Sequence, residues 1–549
     1  MVVQEYEADV LVVGAGLAGL RAAARATREG KSVLVVSKGN GASGGVLAFN
    51  ALLPDTDDAG RNLFFDDMMQ SGGGINSRPL VETFVELSCG LLASLEEYGY
   101  APDRDENGNF RRRHLGGSST PRSFFSGDAT GGVITGRLWN WLRNHGVREL
   151  PGVDVFLPVL ADGQIAGVLG TRLSNGEMVA VSARSVILAG GGVGRLIDGS
   201  TYPHDVDGSC EALGLLAGAE LVDMEFIQFE PTVCFTHPAI NRMEMPTAML
   251  GDGAVLKNAQ GERFMRRYGC PTEAGVEKGF LARCIQKEID AGRGGAAGGI
   301  YCDAREISPA VLGRYALRVQ RLLDAGVDLK TDMVEVKPVA HSHMGGIRID
   351  ANTMTRVPGL FAVGECSGGL HGASRIAGNG GAEVLVMGDA SGAAASLYAT
   401  DASQLKPESF RGAVDTALMN AELHFASAPI SGESIRQAGE LLAQSCTVFR
   451  RPEAMERCVA SLHSMNADDG GTMPLPDAVR TRANLFLATA IATAALQRQE
   501  SRGAHARIDY PEQREEWNGN IVHSLECDAA HAELACRFER LSQSDLKKR

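Results

Sequence analysis

Charged side chains that could bind or react with a small molecule occur in three stretches that are otherwise apolar or glycine-rich. The stretch DMEFIQFEPT carries Glu230 into what reads as the end of a buried strand. KPVAHSHMGGIRID carries His341 and His343, and HGASRIAGN carries Arg375 in a glycine-rich loop. Because a planar Arg fork suits a carboxylate, and carboxyl and imidazole groups can move protons, these residues predict a site for a small charged molecule.

Each of these residues also has a purely structural interpretation. Arg375 can form an ion pair within the fold, and Glu230 can pair with Lys278 or Arg242 without touching a ligand. The two histidines stand two residues apart, so on a strand they would share one face and could bind a metal. No third or fourth ligand clusters with them in the sequence, so we predict no metal site and favour a substrate contact for His341.

The sequence GAGLAG is the strongest local motif. Its glycines, Gly14, Gly16 and Gly19, follow the apolar run DVLVV and open the helical segment LRAAARATREG. In that context the motif predicts a dinucleotide site, where backbone N–H groups and the helix dipole face a pyrophosphate. The alternative is a glycine-rich turn without a ligand. A plain NAD site is not favoured, because the second strand ends in Ser37 and Lys38 instead of the acid that would hold a ribose.

The patterns around these motifs predict the elements that position them. The first 38 residues form a strand, a helix and a second strand, and the hairpin-like alternations at about 150–190 extend this domain. From about 232 to 340 the composition changes to mixed helix and loop, which indicates a second domain or lid. After about 405 the chain loses its glycines and becomes helical.

Length and composition restrict the class of protein. A chain of 549 residues with 44% hydrophobic residues is large enough for two or three domains. The net charge of −14 argues against a nucleic-acid surface or an anionic membrane partner. The eleven cysteines show no CxxC spacing, and neither a signal peptide nor an apolar run of membrane-spanning length is visible. We expect a cytoplasmic protein with reduced thiols and no direct membrane insertion.

Seven stretches together carry a resemblance to a known family. They are GAGLAG with the Ser37-Lys38 pair, LAGGGVGRLIDGSTYPHDVDGSCEALGLLAGAELVDMEFIQFEPT, GERFMRRY, AHSHMGGI, GLFAVGE, HGASRIAGN and ESRGAHARIDYPE. In this order, and over nearly the whole chain, they resemble the flavoprotein family of succinate dehydrogenase, fumarate reductase and L-aspartate oxidase. The resemblance implies FAD and an α/β fold: a discontinuous Rossmann-like FAD-binding domain, a capping domain over the substrate and a C-terminal helical domain.

The resemblance also implies domain limits and cofactor contacts. The FAD-binding domain would occupy residues 1–231 and 341–404, the capping domain 232–340 and the helical domain 405–549. The residues that match the family's FAD contacts are Gly14, Ala15, Gly16, Gly19, Ser37, Lys38, Ser43, Gly44, Gly45, Asp207, Glu365, Asn379, Gly380 and Gly381. The segment SKGNGASGGV lacks the His that covalently flavinylated members carry before their Gly-Gly, so we predict a noncovalent FAD.

At the substrate end the resemblance implies a divergent site. His341 and Arg375 match the His and Arg with which the family clamps a substrate carboxylate. Glu230 stands where the dicarboxylate enzymes have a His. Lys278 falls at their proton-shuttling Arg, with Arg283 as the alternative, and a Lys there can act as acid or base. Because a Glu would repel a second carboxylate, we expect a substrate with one carboxylate and a cationic or hydrogen-bond-donating far end.

The predicted function is an FAD-dependent oxidoreductase that transfers a hydride between flavin N5 and a small carboxylate-bearing substrate. The reaction would be C=C reduction, or CH–CH or CH–NH oxidation, on something other than a simple C4 dicarboxylate. Two alternatives stay open: a flavoprotein subunit that exchanges electrons with an iron–sulfur partner, and an L-aspartate oxidase-like enzyme. A tRNA-modifying flavoprotein is not favoured, because it would want a basic surface. Asp223 and Glu225 are expected at the surface or in local ion pairs.

Overall fold

A computed structural model describes residues 3–402, 406–426, 432–467, 473–528 and 531–542 of the chain. Its strands are β1 Val3–Val13, β2 Val33–Ser37, β3 Phe49–Asn50, β4 Ser123–Phe124, β5 Arg148–Pro151, β6 Val153–Ala161, β7 Gln164–Arg172, β8 Met178–Leu188, β9 Leu221–Val222, β10 Ile227–Cys234, β11 Val255–Lys257, β12 Ile300–Asp303, β13 Val334–His343, β14 Gly346–Arg348, β15 Leu360–Ala362, β16 Ser367–Gly368, β17 Gly519–Cys527 and β18 Ala532–Arg540. Its α-helices are α1 Leu17–Arg28, α2 Asp58–Ser71, α3 Arg78–Ser88, α4 Leu91–Glu96, α5 Thr130–Asn144, α6 Ser209–Leu216, α7 Ala248–Gly251, α8 Lys278–Asp290, α9 Pro309–Leu312, α10 Ala316–Asp324, α11 Asn379–Asp401, α12 Pro407–Ala421, α13 Gly432–Ser445, α14 Pro452–Ala467 and α15 Leu475–Gln497.

The largest sheet has seven strands and contains the predicted strand–helix–strand unit. Its order is β5-β2-β1-β8-β7-β6, with β15 also paired to β8. The central pairs β1–β2 and β1–β8 are parallel, whereas β6, β7 and β8 form the predicted antiparallel hairpins. Successive residues of β1 enter two different apolar clusters: Leu11 and Val13 pack in one, Val10 and Val12 in the other. Both faces of the sheet are therefore buried, as parallel strands require.

Most of a second sheet, here called the cap sheet, is formed by the part of the sequence that separates the two predicted parts of the FAD-binding domain. It is antiparallel in the order β10-β13-β12-β11 and has its own apolar cluster, to which Phe264, Leu281 and Ile300 contribute. The predicted limits of the capping domain, 232 and 340, fall inside β10 and β13. These two paired strands thus lead the chain into and out of the cap, and the limits stay a prediction.

The C-terminal part is mainly helical, as predicted, but it also contains a hairpin that the sequence did not indicate. Helices α12–α15 pack on the large apolar cluster that includes residues of β6 and β8, and α15 alone buries most of its 23 residues. The hairpin β17–β18 joins the sheet β16-β14-β9-β17-β18. Its pairing with β9 ties the chain end to the segment that leads into β10.

The segment that leads into β10 carries Asp223 and Glu225, which were expected at the surface or in local ion pairs. Asp223 and Glu225 are fully buried, so a surface position for them is wrong. The local ion pair is confirmed for Glu225, whose Oε1 accepts a 2.6 Å hydrogen bond from Arg498 Nε. Asp223 accepts from Asn520 Nδ2 at 2.9 Å, and burial together with the neighbouring Glu225 raises the pKa of Asp223 to about 7. These groups anchor β9 to the C-terminal hairpin rather than serving a ligand.

Candidate active site

A cavity of about 640 Å³ is lined both by the turn after β1 and by the cap sheet, a volume that suits a sizeable organic ligand. The predicted residues that line it are Gly14, Ala15, Gly16, Ser37, Lys38, Ser43, Gly44, Gly45, Glu230, Lys278, His341, Glu365, Arg375, Gly380 and Gly381. Gly19, Asp207, Asn379 and Arg283 are not among the lining residues. The structure therefore brings most of the predicted cofactor residues and four of the five predicted substrate-end residues around one space.

The turn between β1 and α1 has the shape that a pyrophosphate needs. Gly14 adopts φ +115°, and a Cβ at this position would overlap the carbonyl of Ala189, so only glycine fits. Gly16 lies directly before α1 and brings no side chain of its own to cap it, while Ser43 Oγ accepts from the N–H of Leu17 at 2.8 Å. A glycine-rich helix start that lines a cavity attracts phosphate through the backbone N–H groups of its first turn and the helix dipole. These residues fit a bound dinucleotide.

Lys38 is held at the cavity wall by an ionic cluster. Its Nζ donates to Asp207 Oδ1 and Oδ2 at 2.8 and 2.7 Å and to Ser209 Oγ at 2.7 Å, with Asp154 3.6 Å away. Burial on its own would lower the pKa of Lys38, but Asp207 and Asp154 outweigh it and the pKa is raised. Lys38 therefore presents a fixed positive charge. Asp207, predicted as a cofactor contact, orients Lys38 and is not itself among the lining residues, so its contact with the cofactor stays a prediction.

The start of α11 forms another part of the wall. Gly380 and Gly381 line the cavity in its first turn, and no side chain caps the helix. The amide of Asn379 turns away toward Asn50, from whose Nδ2 it accepts at 2.6 Å. Glu365 lies half-buried nearby, where it accepts from the backbone N–H of His343 at 2.8 Å, and loss of solvation at the cavity wall raises the pKa of Glu365 to about 7.

Two irregularities in the pairing of β10 with β13 shape the substrate end. Between Gln228 and Phe229 the register advances one residue on β10 but two on β13, which leaves His341 as the extra residue of a β-bulge. A second register shift follows Glu230, where Pro231 has no N–H to donate. Bulges next to active sites commonly re-aim a side chain, and here they turn His341 and Glu230 to the same cavity.

Glu230 forms a direct ion pair with Lys278. The Glu230 side chain is 1% exposed and that of Lys278 is 14% exposed, so the lysine stands between the carboxylate and the open space. Lys278 is the first residue of α8. The predicted ion pair of Glu230 with Lys278 is present, and both of its residues line the cavity. The arrangement presents an ammonium group to a ligand with its counter-ion buried behind it.

His341 is the centre of the substrate end. Its Nδ1 lies 2.9 Å from Thr201 Oγ1 and 3.3 Å from Glu244 Oε1, and its Nε2 lies 3.9 Å from Glu230 Oε2. Burial lowers the pKa of His341 to about 3, and the charge of Lys278 acts in the same direction. The imidazole is therefore neutral near pH 7 and offers hydrogen bonds rather than charge. Thr201 and Glu244 were not predicted from the sequence.

The two candidate arginines are placed very differently. Arg375 lines the cavity, and its Nη2 donates to Ser342 Oγ at 2.9 Å, next to His341. Arg283 does not line it, and its Nη1 donates to the carbonyl of Gly503 at 2.9 Å. The alternative assignment of Arg283 as the proton-shuttling residue therefore finds no support in the geometry.

The sequence predicts no metal site, yet two carboxylates lie close to His341 in the structure. One ligand atom from each of Glu230, Glu244 and His341 lies within 4.8 Å of the others among the residues that the structure describes. The ammonium of Lys278 already neutralises Glu230. A cation of the protein thus occupies the position where a metal would gain most of its binding energy, and the absence of a metal stays our prediction.

Glu277 was also missed, although it sits beside Lys278. Its carboxylate caps α8 by accepting from the N–H groups of Gly279 and Phe280, both at 2.7 Å, and from Ser374 Oγ at 3.1 Å. Ser374 immediately precedes Arg375. Glu277 therefore fixes the start of α8 against the loop that carries the substrate-end arginine.

We expect Glu277→Ala to destabilise the protein by about 1 kcal/mol, because it removes a helix cap and leaves the N–H groups at the start of α8 unpaired. The measurement is the urea midpoint of the purified protein, with Glu277→Asp as the matched variant that keeps a capping carboxylate. A midpoint that Glu277→Ala does not lower would contradict this assignment.

Residues 9–380 match the family described as FAD binding domain, and residues 436–547 match the one described as fumarate reductase flavoprotein C-term. The chain is 33% identical to a fumarate reductase (CoM/CoB) subunit of Methanothermobacter marburgensis over 94% of this chain and 97% of the relative. It is 32% identical to L-aspartate oxidase of Caulobacter vibrioides over 91% and 93%. Quinol fumarate reductase FrdA of E. coli superposes with a TM-score of 0.88 at 25% identity, over 98% of this chain and 97% of that one.

The fold and the cavity define an FAD-dependent oxidoreductase. The chain belongs to the flavoprotein family of fumarate reductase, succinate dehydrogenase and L-aspartate oxidase, which confirms the resemblance and the predicted fold class. None of the helices in the described ranges combines the length and apolar character needed to span a membrane.

Proposed function

We propose that the enzyme transfers a hydride between FAD and a substrate with one carboxylate, with Arg375 as the carboxylate clamp and Lys278 as the proton donor or acceptor. The observation that carries this proposal is the Lys278–Glu230 pair facing the cavity beside Arg375. When bound, FAD would supply the two-electron chemistry. The protein then has to bind the carboxylate, orient the reacting carbon and move one proton.

The far end of the site is a poor place for a second carboxylate. Glu230 and Lys278 cancel each other's charge, His341 is neutral, and Glu244 adds a negative charge 3.3 Å from His341. A dicarboxylate would meet net repulsion there, of the order of 1–4 kcal/mol for charges about 4 Å apart. We therefore propose that fumarate, succinate and aspartate are not good substrates.

Lys278 has the geometry of a general acid or base. It begins a helix whose first turn is fixed by Glu277, and its ammonium is oriented by Glu230. In the reducing direction the ammonium gives one proton to the substrate, and the neutral amine takes one up again before the next turnover. The same groups serve oxidation in reverse, with the neutral lysine taking the proton.

The experiment that tests the proposed function is anaerobic photoreduction of the flavin, followed by a panel of unsaturated mono- and dicarboxylates as oxidants.

We propose that FAD is bound noncovalently. The 3₁₀ turn Ser43–Gly45 contributes Ser43, Gly44 and Gly45 to the cavity wall, and the wall beside them offers no His at the position where flavinylated relatives carry one. Acid precipitation is expected to leave the yellow colour in the supernatant, because only backbone and ionic contacts would hold the cofactor. Colour that stays in the pellet would contradict this.

A second proposal concerns the electron-transfer partner. Relatives of this chain are named as subunits, among them the fumarate reductase flavoprotein subunit of Haemophilus influenzae, 28% identical over 93% of this chain. We propose that this chain also exchanges electrons with another protein. The chain purified alone should then turn over slowly with a small-molecule electron donor. Turnover should rise when the partner protein is added back.

A further inference from the structure

Glu244 is a cavity-lining carboxylate that the catalytic roles above do not use. It lies on the segment that turns back after β10: its backbone forms a single bridge to Val233, and the neighbouring Met245 N–H donates to Thr232 O at 2.8 Å. These contacts tie the backbone of Glu244 to the strand that carries Glu230. Because a hydrogen-bonded backbone holds a side chain more firmly than a free loop does, its position at the wall is defined by β10.

The charge of Glu244 is not balanced within the site. Its described contact is the Nδ1 of His341, which is neutral, and no Lys or Arg nitrogen of the described residues lies within 4.0 Å of it. Glu230, by contrast, has Lys278. The side chain of Glu244 is 22% exposed, so it faces the cavity rather than the core.

We propose that Glu244 forms a subsite for an ammonium group, and that the substrate is an amino-substituted carboxylic acid whose amino group is remote from the carboxylate. The inference rests on the proposed function, since Arg375 must hold the carboxylate. An ammonium group would gain a charge-assisted hydrogen bond to Glu244, while a second carboxylate at the same place would be repelled. Glu244 is thus a specificity-determining residue rather than a member of the proton-transfer pair.

A neighbouring arginine supplies an internal check. Arg242 lines the same cavity two residues earlier and adopts φ +64°, in the left-handed region that glycine occupies without strain. If Arg242 were the partner of Glu244 in solution, no ammonium would be needed. Arg242→Gly removes the guanidinium and suits this backbone, so it tests that explanation without disturbing the turn.

The experiment titrates oxidised holoprotein with butanoate, 4-aminobutanoate and succinate, and follows the change in the visible flavin spectrum. The corresponding three- and five-carbon acids extend the series. We expect the amino acid of at least one length to bind about tenfold more tightly than its unsubstituted acid, and succinate to bind more weakly than butanoate. Glu244→Gln should reduce the amino group's advantage, measured against butanoate in the same variant, to less than about twofold. Glu262→Gln, on the exposed cap surface, should retain the full advantage.

The outcomes separate the two proposals. Equal binding of the amino and unsubstituted acids at every length, a preference that survives Glu244→Gln, or one that appears only in Arg242→Gly would each overturn the ammonium subsite. The carboxylate clamp is judged separately by Arg375→Met, which should abolish binding of butanoate. Butanoate binding that survives Arg375→Met would contradict the proposed function itself, and no binding by any probe would contradict both.

Discussion

Replacing Lys278 with methionine is expected to lower turnover by about 10²–10⁴-fold while FAD stays bound, because the variant has no group to move the proton at the substrate. The substrate for this assay comes from the panel of unsaturated monocarboxylates. The flavin spectrum reports cofactor binding independently of turnover. Lys287→Met is the matched control, since Lys287 lies on the same helix and does not line the cavity.

Lys278→Met also leaves Glu230 buried without a counter-ion, which is expected to cost about 3–5 kcal/mol of stability. Loss of activity in the single variant could therefore reflect misfolding. Glu230→Gln combined with Lys278→Met removes both charges and is expected to recover stability but not turnover. Activity that returns in this double variant would show that Lys278 serves the fold alone.

Replacing Arg375 with lysine is expected to weaken binding of a monocarboxylate by about 100-fold. Lysine keeps the positive charge but loses the planar fork that can donate two hydrogen bonds to one carboxylate, and loss of such a pairing costs about 2–5 kcal/mol. The measurement is the dissociation constant from flavin difference spectra.

Arg283→Lys is the control for this prediction. Arg283 donates to the Gly503 carbonyl and does not line the cavity, so its variant should bind the acid normally. Equal affinity in Arg375→Lys and the parent protein would mean that the carboxylate is held elsewhere.

The unit around GAGLAG could be predicted from the sequence alone. GAGLAG, the strand before it and the helix after it are contiguous, so short-range patterns were sufficient to predict that unit. The fold class and the FAD cofactor followed from seven stretches that resemble the flavoprotein family and occur in the same order along the chain. Asp207 was matched as a cofactor contact, and it reaches Lys38 without lining the cavity, so that contact stays a prediction.

The substrate end depends on contacts between distant segments. Glu230 and Lys278 are separated by 48 residues, so the sequence left their pairing as one alternative among several. Glu244 carries no motif, and its place follows only from the bridge of its backbone to Val233. The bulge at His341 likewise arises from the register of β10 and β13 and has no local sequence signal.

The C-terminal hairpin was missed for a related reason. Residues 519–540 follow long helical segments and contain several charged residues, so their alternation is weak. Their strand conformation is stabilised by pairing with β9, some 300 residues earlier in the chain. Such long-range pairing overrides local preference and cannot be seen in a window of sequence.

Rejection of a second carboxylate by this cavity is tested most directly by adding fumarate to the photoreduced, anaerobic holoprotein and following reoxidation of the flavin. An unsaturated monocarboxylate in the panel is expected to restore the oxidised flavin spectrum, whereas fumarate is expected to leave it reduced, because Glu244 and the Lys278–Glu230 pair offer no net positive charge for the second carboxylate. Prompt reoxidation by fumarate at ordinary affinity would contradict this claim.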